Sequence, residues 1–154
     1  MQFSNYKSVL VLHERSSRLT WIQHLPTKEA AVVARSIQTL LAPLPADLRQ
    51  SITFDNGTEF AHHYTLHKPL GIGTYFCRPY SPWEKGGVEN AIGRLRRWLP
   101  RKTNLAQVTP DQFQQVAARY NHIPRKCLGY QTSAEVFSKL LHFKCEFTSP
   151  LSRG

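Results

Sequence analysis

The chain has 154 residues, 41% apolar and 11% aromatic, enough for one hydrophobic core. Lys and Arg number 20 against 10 Asp and Glu, and the resulting charge of +10 favours a polyanionic partner, DNA or RNA before an anionic membrane. Composition excludes a secreted disulfide scaffold, a coiled coil and a disordered tail; no apolar run reaches the ~18–20 residues of a membrane span, and the N-terminus lacks the marks of a signal peptide.

Residues 7–14 form a short apolar run rich in strand formers. Arg15–Arg18 break it, and residues 19–25 read as a second strand, so the two are expected to pair as a hairpin. Pro26 and Thr27 offer a helix start with Thr27 as N-cap. Ala31, Val32, Ala34, Ile37, Leu40 and Leu41 then give a helical stripe over 28–41, ended by Pro43 and Pro45. Residues 51–54 are a short strand running into Asp55-Asn56-Gly57, 58–69 read as helical in part, and 72–77 as another strand. The loop Tyr80–Trp83 precedes a helix expected over 86–99, and Pro100-Arg101-Lys102 forms a basic linker. Thr109 as N-cap and Pro110 at the first position start the next helix, and Thr132-Ser133 begin a last one reaching about Leu141. The order of elements suggests an α/β fold, a mixed sheet flanked by helices. Residues 1–141 are expected to form the core and 142–154 a C-terminal tail.

The three cysteines, Cys77, Cys127 and Cys145, are odd in number and widely spaced, so they read as free thiols in a reducing cytoplasm. His63 and His67 lie four residues apart with Cys77 beyond, but no fourth ligand completes a zinc pattern, and ordinary surface histidines are the simpler reading.

Acids are scarce enough to inspect singly. Asp occurs only at 47, 55 and 111. Asp55 stands where a strand ends, the place at which open α/β sheets build their sites; equally, it is a turn residue capping Thr58 or Glu59. On the expected helix, Val88, Ala91, Ile92, Leu95, Trp98 and Leu99 share one face, while Glu89, Gly93, Arg96 and Arg97 share the other. Arg94, Arg96, Arg97, Arg101 and Lys102 place five cations in nine residues with no acid among them, a surface suited to phosphates. Gly86-Gly87 allow close approach of backbone at the helix start or simply begin it flexibly. Tyr80 and Trp83 either stack on bases or pack on the sheet, and packing is the favoured reading for Trp83. Two carboxylates in so basic a chain suggest divalent-metal chemistry on phosphodiesters, although two ions normally need three or more carboxylates.

Thr53-Phe54-Asp55-Asn56-Gly57-Thr58-Glu59-Phe60 resembles the second-aspartate segment of DDE transposases and retroviral-type integrases. Pro79-Tyr80-Ser81-Pro82-Trp83-Glu84-Lys85-Gly86-Gly87-Val88-Glu89-Asn90, then Leu95-Arg96 and Leu99-Pro100, resemble the insertion-sequence-thirty group of bacterial transposases. Tyr120-Asn121, Pro124–Tyr130 and Ala134–Phe137 are similar to that group too. The resemblance runs from about residue 7 to 141. It implies a ribonuclease-H-like fold and metal-dependent cleavage and strand transfer on DNA, at element ends and target, by a homo-oligomer in the bacterial cytoplasm. It implies Mg²⁺ or Mn²⁺ held by Asp55 and Glu89, the second and third acids of the triad, with 33 residues between them. Arg96 matches a basic position that touches DNA, and Asn56, Lys85, Asn90 and Arg97 are further DNA contacts, joined by Arg94, Arg101 and Lys102. Val88 and Ala91-Ile92 depart from the commoner Asn-rich version around the Glu.

The family's first Asp lies on a first strand, and this chain has no Asp before Asp47; Glu14 and Glu29 stand at other places. The expectation is a core with its first strand largely missing, residues 1–5 being its remnant, through truncation or a start placed too late, and inactive as written. The alternative is a non-catalytic DNA-binding fragment of such an enzyme. An RNA-binding protein with a fortuitous Asp-Asn-Gly has no recognised motif in support.

Overall fold

The computed structural model describes residues 8–148. Strands β1 (Ser8–His13) and β2 (Thr20–Leu25) form the expected antiparallel hairpin, with Val9 opposite His24 and Val11 opposite Ile22. Alternation decides the faces. Val9, Val11 and Ile22 turn to one side of the hairpin, and Leu10, Leu12 and Leu25 to the other. Glu14 shapes the connection: its carboxylate accepts the backbone N–H groups of Ser16 and Ser17, at 2.8 and 2.6 Å. Burial alone would raise this carboxyl, but these bonds to its charged form outweigh burial and leave it below the usual range.

Helix α1 (Ala30–Leu41) buries Val33, Ala34, Ile37 and Leu41 against the Leu10 side. It starts later than expected. Its N-cap is Glu29, which makes no side-chain cap bond, so Thr27 is not the cap. Strands β3 (Ser51–Phe54) and β4 (Gly73–Phe76) pair in parallel, and Ile52 and Phe54 reach the same core under α1. Between them, 3₁₀ turns at Thr58–Phe60 and His63–Leu66 lead into the single turn α2 (His67–Leu70), which Gly71 ends in a left-handed conformation with φ 62°. A 3₁₀ helix is a partial match to the expected helical stretch, and the tight turn is closed by a residue without a Cβ.

The Val9 side of the hairpin is covered by α3 (Gly86–Leu95) and α4 (Pro110–Asn121). Leu95, Leu99, Phe113 and Tyr120 are nearly inaccessible there. Helix α4 starts as expected: the Thr109 hydroxyl accepts the Gln112 N–H, the Gln112 side chain accepts the Thr109 N–H, and Pro110 sits in the first turn. Asn121 at its end exchanges two hydrogen bonds with the backbone of Thr20, both 2.9 Å, and pins the helix to β2. Helix α5 (Ser133–Thr148) extends beyond Leu141.

Helix α3 stops short of the expected residue 99. The Arg97 and Trp98 amides bond three residues back, to Arg94 and Leu95, so the chain tightens before Pro100, which has no N–H to offer. Sheet pairing also differs from one continuous sheet. Among the described residues, β1–β2 and β3–β4 are two separate ribbons, one antiparallel and one parallel, joined through the core beneath α1. Residues 1–5, read as a first-strand remnant, lie outside the described residues.

Candidate nucleic-acid interface and acidic site

Asp55 follows the last residue of β3. Its Oδ1 accepts the Gly57 N–H at 3.3 Å, which makes a turn of the kind the Asn-Gly pair favours, and it caps neither Thr58 nor Glu59. Asn56 reaches across instead of outward: its side-chain amide donates to the Cys77 carbonyl at 3.1 Å, while the Cys77 N–H donates to Phe54 at 2.8 Å. The ends of β3 and β4 are thereby locked together.

Cys77 lies behind the turn that carries Asp55, held there through Asn56. It is covered, though only just beneath the surface. Burial pushes its thiol up; Lys85 opposes this, and the charges of Glu84, Asp55 and Glu89 add to it. Glu89 sits in the first turn of α3, exposed. Lys85 lies 3.6 Å from Asp55, Nζ to Oδ2, an ion pair at the rim.

The sequence alone does not set Glu59 apart. A Cβ on Gly57 would lie 2.4 Å from Glu59 Oε2 and 3.1 Å from Asp55 Oδ1, so both carboxylates close over a glycine. The local pattern Asp-x-Gly-x-Glu carries that signal, but only once the 3₁₀ turn at 58–60 folds the Glu back. Among the described residues no three His, Cys, Asp or Glu side chains are arranged to hold a metal ion. Asp55 and Glu89 suit part of a divalent ion's oxygen shell; they do not supply the ligands of a two-ion centre.

The acids stand on open surface. A cleft of about 240 Å³ lies elsewhere, between Trp98, Thr103, Val108, Gln112 and Arg119. An open face suits a rigid polymer better than a small molecule, which needs enclosure.

Beyond Glu89 the cations are arranged unevenly. Arg94, Arg97, Arg101 and Lys102 are exposed, and Arg94 donates to the exposed Asn90 side chain at 3.0 Å. Arg96 departs from the exposed stripe expected of it. The tightened turn leaves it half-buried, and burial, followed by the nearby Arg101 charge, lowers its pKa. Trp83 departs more sharply: it does not pack on the sheet but is 75% exposed. The zinc reading is not supported either. His63 and His67 both engage the Thr74 hydroxyl, at 2.8 and 2.7 Å. Cys77 and Cys127 are free thiols. No helix among the described residues is long and apolar enough to cross a membrane.

No family model matches the chain. Individual relatives do. It is 38% identical over 131 residues to the transposase InsI for insertion sequence element IS30A of Escherichia coli K12, covering 85% of this chain and 34% of that protein. It is 37% identical over 139 residues to the transposase for IS4351 of Bacteroides fragilis, covering 90% and 42%, and 36% identical over 137 residues to the transposase for IS1086 of Cupriavidus metallidurans, covering 89% and 40%. The chain thus spans about a third to two-fifths of the length of these relatives. Its fold superposes on the catalytic core domain of BIV integrase with a TM-score of 0.69 and 25% identity, covering 94% of this chain and 93% of that one. A simian T-cell lymphotropic virus intasome gives a TM-score of 0.70 at 20% identity, likeness of fold alone. This chain is a homologue of the IS30-type transposases and has the ribonuclease-H-like fold of an integrase catalytic core.

Proposed function

We propose that this chain is the core portion of a DNA transposase, in which Asp55 and Glu89 contribute to a divalent-metal site that cleaves DNA and joins its ends. The observation that carries the reading is the ion pair between Lys85 and Asp55 at the end of β3, which brings that carboxylate to the residue just before α3, whose first turn carries Glu89, beside a cationic surface and on a core related to transposases. Mg²⁺ or Mn²⁺, when bound, polarises the phosphodiester and activates the attacking oxygen; Asp55 and Glu89 are the side chains that would hold it. The polypeptide supplies the rest. Asn56 fixes the turn that carries Asp55, Lys85 balances that carboxylate, and Arg94, Arg97, Arg101 and Lys102 hold the DNA backbone, with Arg96 and Asn90 next to them. The active assembly is a homo-oligomer acting on DNA in the cytoplasm, with 1–141 as the core and 142–154 as a tail.

Two carboxylates are too few for two ions, so the 154-residue chain alone is expected to bind duplex DNA without cutting it. Incubation of nuclease-free protein with a supercoiled plasmid and Mg²⁺ or Mn²⁺ tests this, and robust nicking would overturn it. In a longer transposase containing this core, Asp55→Asn or Glu89→Gln is expected to reduce cleavage to background while DNA binding persists. Cleavage surviving either change would remove these acids from the chemistry and favour a fragment that only binds DNA.

A further inference from the structure

Between β4 and α3 the chain leaves two aromatic side chains uncovered. Tyr80 is 98% exposed and Trp83 is 75% exposed. An indole left in water gives up burial that would stabilise the fold and stands open to a ligand.

The loop that carries Trp83 is braced. The Glu84 carboxylate accepts the Arg78 N–H at 2.7 Å and lies 3.9 Å from the Arg78 guanidinium. The Ser81 N–H donates to Arg78 at 3.3 Å and the Glu84 N–H to Ser81 at 3.1 Å. A 3₁₀ turn over Pro82–Lys85 then delivers Lys85 to Asp55. At the apex Tyr80 takes a left-handed conformation, φ 60°, rare for a side chain of its size. Trp83 is thus presented from a fixed frame, two residues from the lysine on Asp55 and six before Glu89.

We infer that Trp83 stacks on an unpaired base of the DNA strand that lies across Asp55 and Glu89. The inference rests on the DNA reading above. Charge favours nucleic acid over an apolar protein partner, since the chain carries a net charge of +10 and exposed Arg94, Arg97, Arg101 and Lys102 follow on and beyond the helix that this loop leads into. An unpaired base fits better than a paired one, because a flat indole binds a base through its face, and in a duplex that face is already stacked. A rigid aromatic with two rotatable bonds, held on a braced turn, loses little freedom on binding.

The test is fluorescence anisotropy on the 154-residue chain in EDTA, so that no cleavage is involved. Two labelled duplexes share one sequence: one is fully paired, the other has three unpaired nucleotides at its tip. The unaltered chain is expected to prefer the frayed tip. Trp83→Ala is expected to weaken frayed-tip binding by about tenfold and to leave the paired duplex nearly unchanged. Trp83→Phe should recover part of the loss, and abasic sites at the unpaired positions should abolish the preference. Equal binding by Trp83→Ala and the unaltered chain, or equal losses on both duplexes, would overturn the inference while leaving the DNA reading intact. So would a change of oligomeric mass on sedimentation with the preference retained, which would assign the indole to a protein contact. Failure of the unaltered chain to bind either duplex would overturn the DNA reading itself, and this inference with it.

Discussion

The two ribbons of this molecule contain strands of similar length but are treated in opposite ways. The β1–β2 hairpin is covered on both faces, by α1 on one and by α3 and α4 on the other. Among the described residues the β3–β4 ribbon is covered on one. Ile52 and Phe54 point into the core, whereas Ser51, Thr53 and Tyr75 remain exposed. The hairpin supplies rigidity and carries no side chain of the proposed site. The thinner ribbon ends in Asp55 and leads through Cys77 and the braced loop to Glu89. Catalytic and binding groups need access to solvent and to a large substrate, and an uncovered ribbon edge gives that at a cost in stability. The scaffold and the site are therefore separated by burial, and substitutions on the two sides should behave differently.

The largest expected difference is in packing. Leu95 is fully buried between the hairpin and α4, and Leu95→Ala should cost about 2–5 kcal/mol through lost burial and a residual cavity. Thr53→Ala, on the exposed face of the ribbon, should change stability by less than about 0.5 kcal/mol. Urea unfolding of both variants makes the comparison. Equal losses would mean that the ribbon's outer face is covered in solution, and the contrast between scaffold and site would fail.

How much of this was legible in the sequence follows the same division. The hairpin was readable because Val9, Leu10, Val11 and Leu12 alternate between two cores, so a local pattern sets both strand and face. The start of α4 was readable because a capping box is written in four consecutive residues, Thr109–Gln112. Asp55 and Glu89 stood out because acids are few. The pairing of Asp55 with Lys85, just ahead of the helix that carries Glu89, is not legible, since it depends on the parallel pairing of β3 with β4, a contact between segments some twenty residues apart. Trp83 was misread because composition shows that an aromatic residue wants cover but not whether the fold provides any. Arg96 was misread because uniform helical periodicity was extended through a turn that tightens ahead of Pro100. Thr27 failed as a cap because the three residues that follow Pro26 lie outside the helix, although Thr suits the position.

A smaller effect should distinguish the two regions by pH. His13 closes β1 and bonds Thr20 at 2.9 Å. Burial, with the Arg18 and Arg125 charges, lowers its pKa to about 4, against a slight opposing pull from Glu14. The folded state thus favours the neutral ring more than the unfolded state does, whose imidazole titrates near 6.5. The unfolded chain binds more protons between those values, so this contribution is complete above about 6.5 and is lost as pH falls toward 4. The urea midpoint should drop from pH 7 to pH 5, and His13→Gln should flatten that drop. An unchanged pH dependence in His13→Gln would mean that the scaffold does not hold this ring neutral.

The smallest effect on stability should come from Lys85, and there the two regions separate by function. The Lys85 and Asp55 side chains are 32% and 47% exposed, and their charges lie 3.6 Å apart. An ion pair so open to water contributes about 0–1 kcal/mol, so Lys85→Met should hardly move the unfolding curve. Its effect should appear in DNA binding. If Lys85 leaves Asp55 for a phosphate when DNA arrives, the slope of log affinity against log salt should fall by about 0.9, the value for one lost phosphate contact. An unchanged slope with unchanged stability would assign Lys85 to neither the scaffold nor the DNA. A fall in stability well above 1 kcal/mol would place it in the scaffold, and the rim of the ribbon would then be part of what holds the fold together.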